Sequence, residues 1–173
     1  MANTYTLIEA KTIATAVGSV TFSAIPQTYT DLQILYSARR SAGSDYAGNL
    51  YLTFNGATSR YYEILLYQAG ASVGSVAKSN VDAYLNWTAL AQSLGTNVWS
   101  SGQFYIPNYT SSNAKLISSE FVSEDTNTNP WFLINAASWN PTSNVPITSI
   151  TFTPASNNIA SGSTFYLYGI KNS

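Results

Sequence analysis

The residues able to do chemistry in this chain are few, and two kinds are missing. There is no His and no Cys. This excludes thiolate chemistry, disulfides, Ser-His-Asp catalysis and the commonest zinc ligands. The carboxylates are left. Glu120 and Glu124 stand four residues apart, in an expected strand and its following turn, and would share a face near a sheet end. A close carboxylate pair is what glycoside hydrolysis needs. Glu124 and Asp125 are adjacent and diverge, and eight carboxylates in all are equally explained as solubilising surface charge. Asp125, Asn127 and Asn129 imitate the start of an EF-hand loop. Pro130 then replaces its glycine and Ala136 its bidentate glutamate. An Asx-rich turn accounts for the run without calcium. No catalytic, metal or cofactor residue is therefore assigned, and the chain is expected not to be an enzyme.

Two binding constellations stand beside these. Trp131 and Trp139 share a strand parity about 27 Å apart, a spacing that suits an oligosaccharide rather than one sugar ring. The commoner fate of large aromatics is core or interface. Arg39-Arg40 is the single basic doublet. With no basic cluster around it, it reads as a strand-end ion-pairing or interface site rather than a phosphate site, and Arg at such a place suits contact with a neighbouring subunit.

Composition points the same way. Charged residues make up 9% of the chain, hydrophobic ones 45%, and the net charge is −1. So low a charge gives no field to attract nucleic acid or an anionic membrane. Thirteen tyrosines suit a surface covered by partners, because Tyr supplies large amphipathic contact area. No window is long and apolar enough for a membrane-spanning helix. The first residues lack a signal-peptide pattern, so synthesis and folding in a cytoplasm are expected.

These residues are carried on short alternating runs. The clearest is Asp31 to Arg40, where Leu32, Ile34, Tyr36 and Ala38 face one side and Gln33, Ser37 and Arg39 the other. Residues 5–13 read as a first strand at an edge, guarded by Glu9 and Lys11. Further strands are expected at 20–24, 50–54, 102–107, 115–123, 131–139 and 148–152. Asn55-Gly56 signals a turn. Residues 60–98 are ambiguous. Tyr61 to Tyr67 fits strand or helix, Gly70 and Gly74 suggest a loop, and Val81, Tyr84, Leu85 and Ala89 trace a helical stripe. The last strand, Thr164 to Ile170, points Phe165 and Leu167 one way and Tyr166, Tyr168 and Ile170 the other. The expectation is an all-β, single-domain antiparallel β-sandwich over residues 1–173, jelly-roll-like, with about eight or nine strands and little helix.

Three stretches resemble small structural proteins of tailed-bacteriophage virions, of the cyanophage and marine-phage type. They are Asn3 to Thr12, Val20 to Leu32 and Gly162 to Lys171. The resemblance covers both ends of the chain and hardly its middle. It implies a β-sandwich virion component and carries over no catalytic residue. The expected role is a capsid decoration or cement protein, bound to the major capsid protein or other virion proteins. Self-association, trimeric by analogy, is expected at Tyr166, Tyr168, Arg39 and Arg40. The alternative is a tail- or head-fibre module binding host carbohydrate through Trp131 and Trp139. Neither reading involves nucleic acid or membrane.

Overall fold

The computed structural model describes residues 4–43, 48–80, 85–90, 98–123, 131–143 and 145–171, with the backbone alone for 85–90. Among these residues there are twelve strands and no helix. The first four are β1 (Tyr5–Thr12), β2 (Val20–Phe22), β3 (Asp31–Ala38) and β4 (Gly48–Phe54). The next four are β5 (Tyr61–Ala69), β6 (Ser72–Ser79), β7 (Leu85–Leu90) and β8 (Ser100–Ile106). The last four are β9 (Lys115–Ser123), β10 (Trp131–Trp139), β11 (Ile150–Pro154) and β12 (Thr164–Ile170).

The strands form two sheets, ordered β1-β12-β3-β8-β9-β10-β5-β6 and β2-β11-β4-β7, with every pairing antiparallel. Setting aside β5, β6, β9 and β10 leaves β1-β12-β3-β8 and β2-β11-β4-β7. That is the eight-strand jelly-roll order, in which nearly every connection crosses from one sheet to the other. The remaining strands are two hairpins, inserted after β4 and after β8, that lie side by side and extend the larger sheet beyond β8.

The excess over eight or nine strands comes from the ambiguous middle. Tyr61–Ala69 and Ser72–Ser79 pair without a register break, so the glycine- and serine-rich run is a strand rather than a loop. The helical stripe fails as well. Leu85–Leu90 pairs with β4, placing Leu85 opposite Leu52 and Trp87 opposite Leu50. Pairing to an existing sheet edge outweighs a weak helical pattern, and Trp and Thr favour strands. Val81 to Tyr84 lie outside the described residues.

The core fills the space between the sheets. Leu32, Ile34, Tyr36 and Ala38 are buried, as their alternation requires, and so are Phe165 and Leu167. Ile170 is buried too, contrary to its expected outward side. It lies where β12 meets the start of β3, its carbonyl bonded by the Thr30 N–H at 2.8 Å. Five rings knit the layers: Phe104 meets Phe121 at 5.1 Å and Phe152 at 5.6 Å, Phe152 meets Phe165 at 5.2 Å, and Tyr36 stacks on Phe165 at 5.9 Å.

The turn signal at Asn55-Gly56 is a tight turn with both residues at positive φ (52° and 70°). Asn55 also holds the approach to β11. Its Oδ1 accepts from the Thr148 and Ser149 N–H groups, and its Nδ2 donates to the Pro146 carbonyl. Lys115 is buried, and its ammonium donates to the Ser111 and Asn113 carbonyls while burial lowers its pKa.

Gly102 makes the ring cluster possible. A Cβ there would sit 2.1 Å from Phe121 Cδ1 and 2.8 Å from the Tyr36 hydroxyl. Gly102→Ala is therefore expected to destabilise the chain by about 1–3 kcal/mol through overpacking. Urea unfolding would measure it, and an unchanged midpoint would show that the rings move aside freely.

Candidate functional site

Because strand residues alternate, the larger sheet presents one face to the core and one outward. Register fixes what stands on the outer face. One row runs Tyr166, Leu35, Gln103, Glu120, Ile134, Leu66 and Ser75, crossing seven adjacent strands from β12 to β6. Its centre is polar. Gln33 Nε2 donates to Gln103 Oε1 at 2.7 Å, and Gln103 Nε2 donates in turn to Glu120 Oε1.

Two shallow depressions flank this ladder. One, of about 320 Å³, is bordered by Tyr5, Tyr105, Gln33, Glu120 and Ile134 over the small Ser118. The other, of about 350 Å³, is bordered by Leu35, Val122 and Phe132 over Ser101 and Gly102. At the rim of the first, the Tyr105 hydroxyl donates to Asp31 Oδ2 at 2.7 Å, while Asp31 Oδ1 accepts the Asn108 N–H at 2.8 Å. The Asp31 carboxylate, helped by partial burial, pushes the Tyr105 pKa up to about 12.

Beyond the ladder the face turns apolar. Val122 and Phe132 are cross-strand neighbours, as are Ile134 and Leu66, with Ile64 and Leu116 close by on the same side. All six are exposed, Ile64 at 62% and Leu66 at 55%. From β8 to β6, Glu120 is the sole charged side chain on this face among the described residues. The sequence carried a signal for this in β5 and β10, whose residues are apolar on both parities. One parity goes to the core and the other is left outside.

The sequence candidates fall in different places. Tyr166 and Tyr168 are half-buried on this outer face, opposite Leu35 and Gln33. Glu120 lies at its centre. Arg40 is a correction: at 2% exposure it cannot contact a subunit. Its Nη1 donates to Ser156 Oγ at 2.7 Å, and its chain lies so close over Gly48 that a Cβ there would come within 2.4 Å of Nε. Arg39 is half-buried with its guanidinium over the Trp99 ring, 4.8 Å from the centroid. Trp139 is a second correction. The two tryptophans do share a face, but it is the inner one, where Trp139 at 2% exposure packs on Phe54 and Tyr61. Trp131 is half-buried and stacked on Tyr67 at 6.3 Å. A paired sugar platform is therefore ruled out. Glu124, Asp125, Asn127 and Asn129 lie outside the described residues. Among the described residues, no three His, Cys, Asp or Glu side chains gather as metal ligands.

No protein-family model matches the chain, and no curated protein matches it. Among solved structures it is similar to a protein of unknown function from Shewanella oneidensis MR-1. Identity is 11%, over 100% of this chain and 82% of that one, with a TM-score of 0.34. A likeness of that size fixes nothing about this chain.

The Tyr105–Asp31 bond gives a pH prediction. A phenol whose pKa rises on folding contributes stability that is complete below its ordinary value of 10.0 and is lost as pH rises through about 12. The unmodified chain should lose stability relative to Tyr105→Phe across that window, as read by urea unfolding at successive pH values. A constant difference between the two proteins would mean that the bond does not form in solution.

Proposed function

We propose that this chain is a structural component of a bacteriophage virion, a capsid decoration or cement protein without catalytic activity. In this reading it attaches through the outer face of its larger sheet to the major capsid protein or another virion protein. One observation carries the reading, the contiguous apolar surface of β9, β10 and β5. Its six exposed side chains are joined by Val73 of β6 at 81% exposure, and a contiguous exposed apolar surface of this kind marks an interaction site. The near-absence of charge favours tight, dry attachment, since from β8 to β6 only Glu120 would have to lose its water. The likeness of both chain ends to phage virion proteins supplies the setting.

A second reading, a fibre module binding host carbohydrate, draws on the polar depression beside the ladder. Amide, carboxylate and phenol groups there can share hydrogen bonds with sugar hydroxyls, and Tyr5 and Tyr105 offer ring faces. Trp139 takes no part in that version.

Quantitative mass spectrometry of purified particles should find the chain at on the order of hundreds of copies, as symmetric capsid decoration requires. A handful of copies would move it to the tail, and its absence from particles would end the proposal. In binding to particles depleted of the protein, Ile64→Ser/Leu66→Ser/Ile134→Ser should fold normally and bind more than about a hundredfold more weakly. Wild-type binding by that variant would remove the apolar face from consideration. Tyr166→Ser/Tyr168→Ser should likewise spare the monomer and weaken attachment. If it unfolds instead, the two tyrosines support the fold rather than a partner.

A further inference from the structure

The two edges of the larger sheet differ in how they are protected. β1 carries a register shift between Leu7 and Glu9 and holds Glu9 and Lys11 in an ion pair at 2.6 Å. A bulge and edge charges are the usual devices that stop a sheet from adding strands. β6 has neither. Its eight residues pair with β5 in unbroken register, and its only charge, Lys78, is turned to the core side, 3.3 Å from the buried Glu63 carboxylate. Its remaining residues are Ser, Val, Gly and Ala, with no proline. Val73 is 81% exposed, and most of the strand is open to solvent on both parities.

We infer that β6 is a pairing edge for β6 of a second copy of this chain, forming one continuous antiparallel sheet about a two-fold axis. Three features select a second copy. The first is charge. Opposed residues in an antiparallel pair lie on the same face, so the two-fold centres on a residue. With the axis at Ser75, Lys78 faces Ser72; at Val76 it faces Gly74. Neither register brings the two lysines together.

The second is closure. An open edge at both ends would let sheets add without limit, whereas one open and one guarded edge permits only the pairing of like edges, which stops at two copies. The third is continuity of the apolar surface. Val73 and Leu66 stand on the same outer face in the last two strands, so pairing runs the apolar faces of both copies into one surface. The edge contact itself does not depend on the virion role proposed above, and a larger assembly can incorporate such a two-fold unit.

Sedimentation velocity at about 100 µM should give a species of about twice the 18.7 kDa chain, with dissociation on dilution as mass action requires. Val73→Lys/Ala77→Lys places lysines on the exposed side of β6 and should sediment as a single chain with an unchanged melting temperature. Hydrogen exchange of the unmodified chain provides a readout that needs no variant. Amides of Ser72–Ser79 should exchange at least tenfold more slowly at about 100 µM than at about 1 µM. A wild-type monomer at the higher concentration, or β6 exchange independent of concentration, would overturn the inference. So would a dimer that survives the lysine variant but is lost in Ile64→Ser/Leu66→Ser/Ile134→Ser, which would assign the contact to the sheet's face.

Discussion

Among the described residues, β1 pairs with β12 alone, and β2 with β11 alone. The first strands of the chain can therefore join the sandwich only through the last ones. β12 also lies between β1 and β3, with Leu167 in the core and Phe165 in the ring cluster that holds the sheets together. The jelly-roll order rests on this closing strand. Without it β1 has no sheet to belong to, and the core loses one wall. A topology built on such distant pairings folds slowly, because loop-closure entropy is spent before the contacts form.

The parts of the fold legible in sequence are those where one face is buried and the other wet. β3 is the clearest case, since Leu32, Ile34, Tyr36 and Ala38 alternate in sequence and all four are buried. The edge position of β1 was readable from Glu9 and Lys11. β6 was not, because small polar residues and glycines resemble a loop until a partner strand supplies hydrogen bonds. β7 was hidden for a related reason, since its pairing with β4 decides its conformation and its own pattern does not. Parity succeeded for Trp131 and Trp139 but could not say which layer their shared face would meet. Arg40 shows the same limit: composition placed it at a surface, and only the packing over Gly48 and the bond to Ser156 placed it inside.

Low charge and an all-β fold together shape the exterior. With so few ionic groups, an outward face must be made of hydroxyls, amides and apolar side chains, and this sheet separates them. The Gln33–Gln103–Glu120 ladder lies towards the jelly-roll strands and the apolar surface towards the inserted hairpins. A segregated face of this kind favours a partner that matches both zones, which is a source of orientation as well as of affinity.

The hairpins β5–β6 and β9–β10 enter the chain at two separate points, yet both lie outside the eight strands that complete the jelly roll. The outward side chains of this extension are therefore not needed to complete the jelly-roll order. Substitution at its outward positions would alter the apolar surface, while its inward Phe121, Trp139 and Tyr61 remain part of the core. Relatives sharing this architecture would then be expected to differ most at the outward positions of β9, β10, β5 and β6, and to agree best where β12 joins β1 to β3.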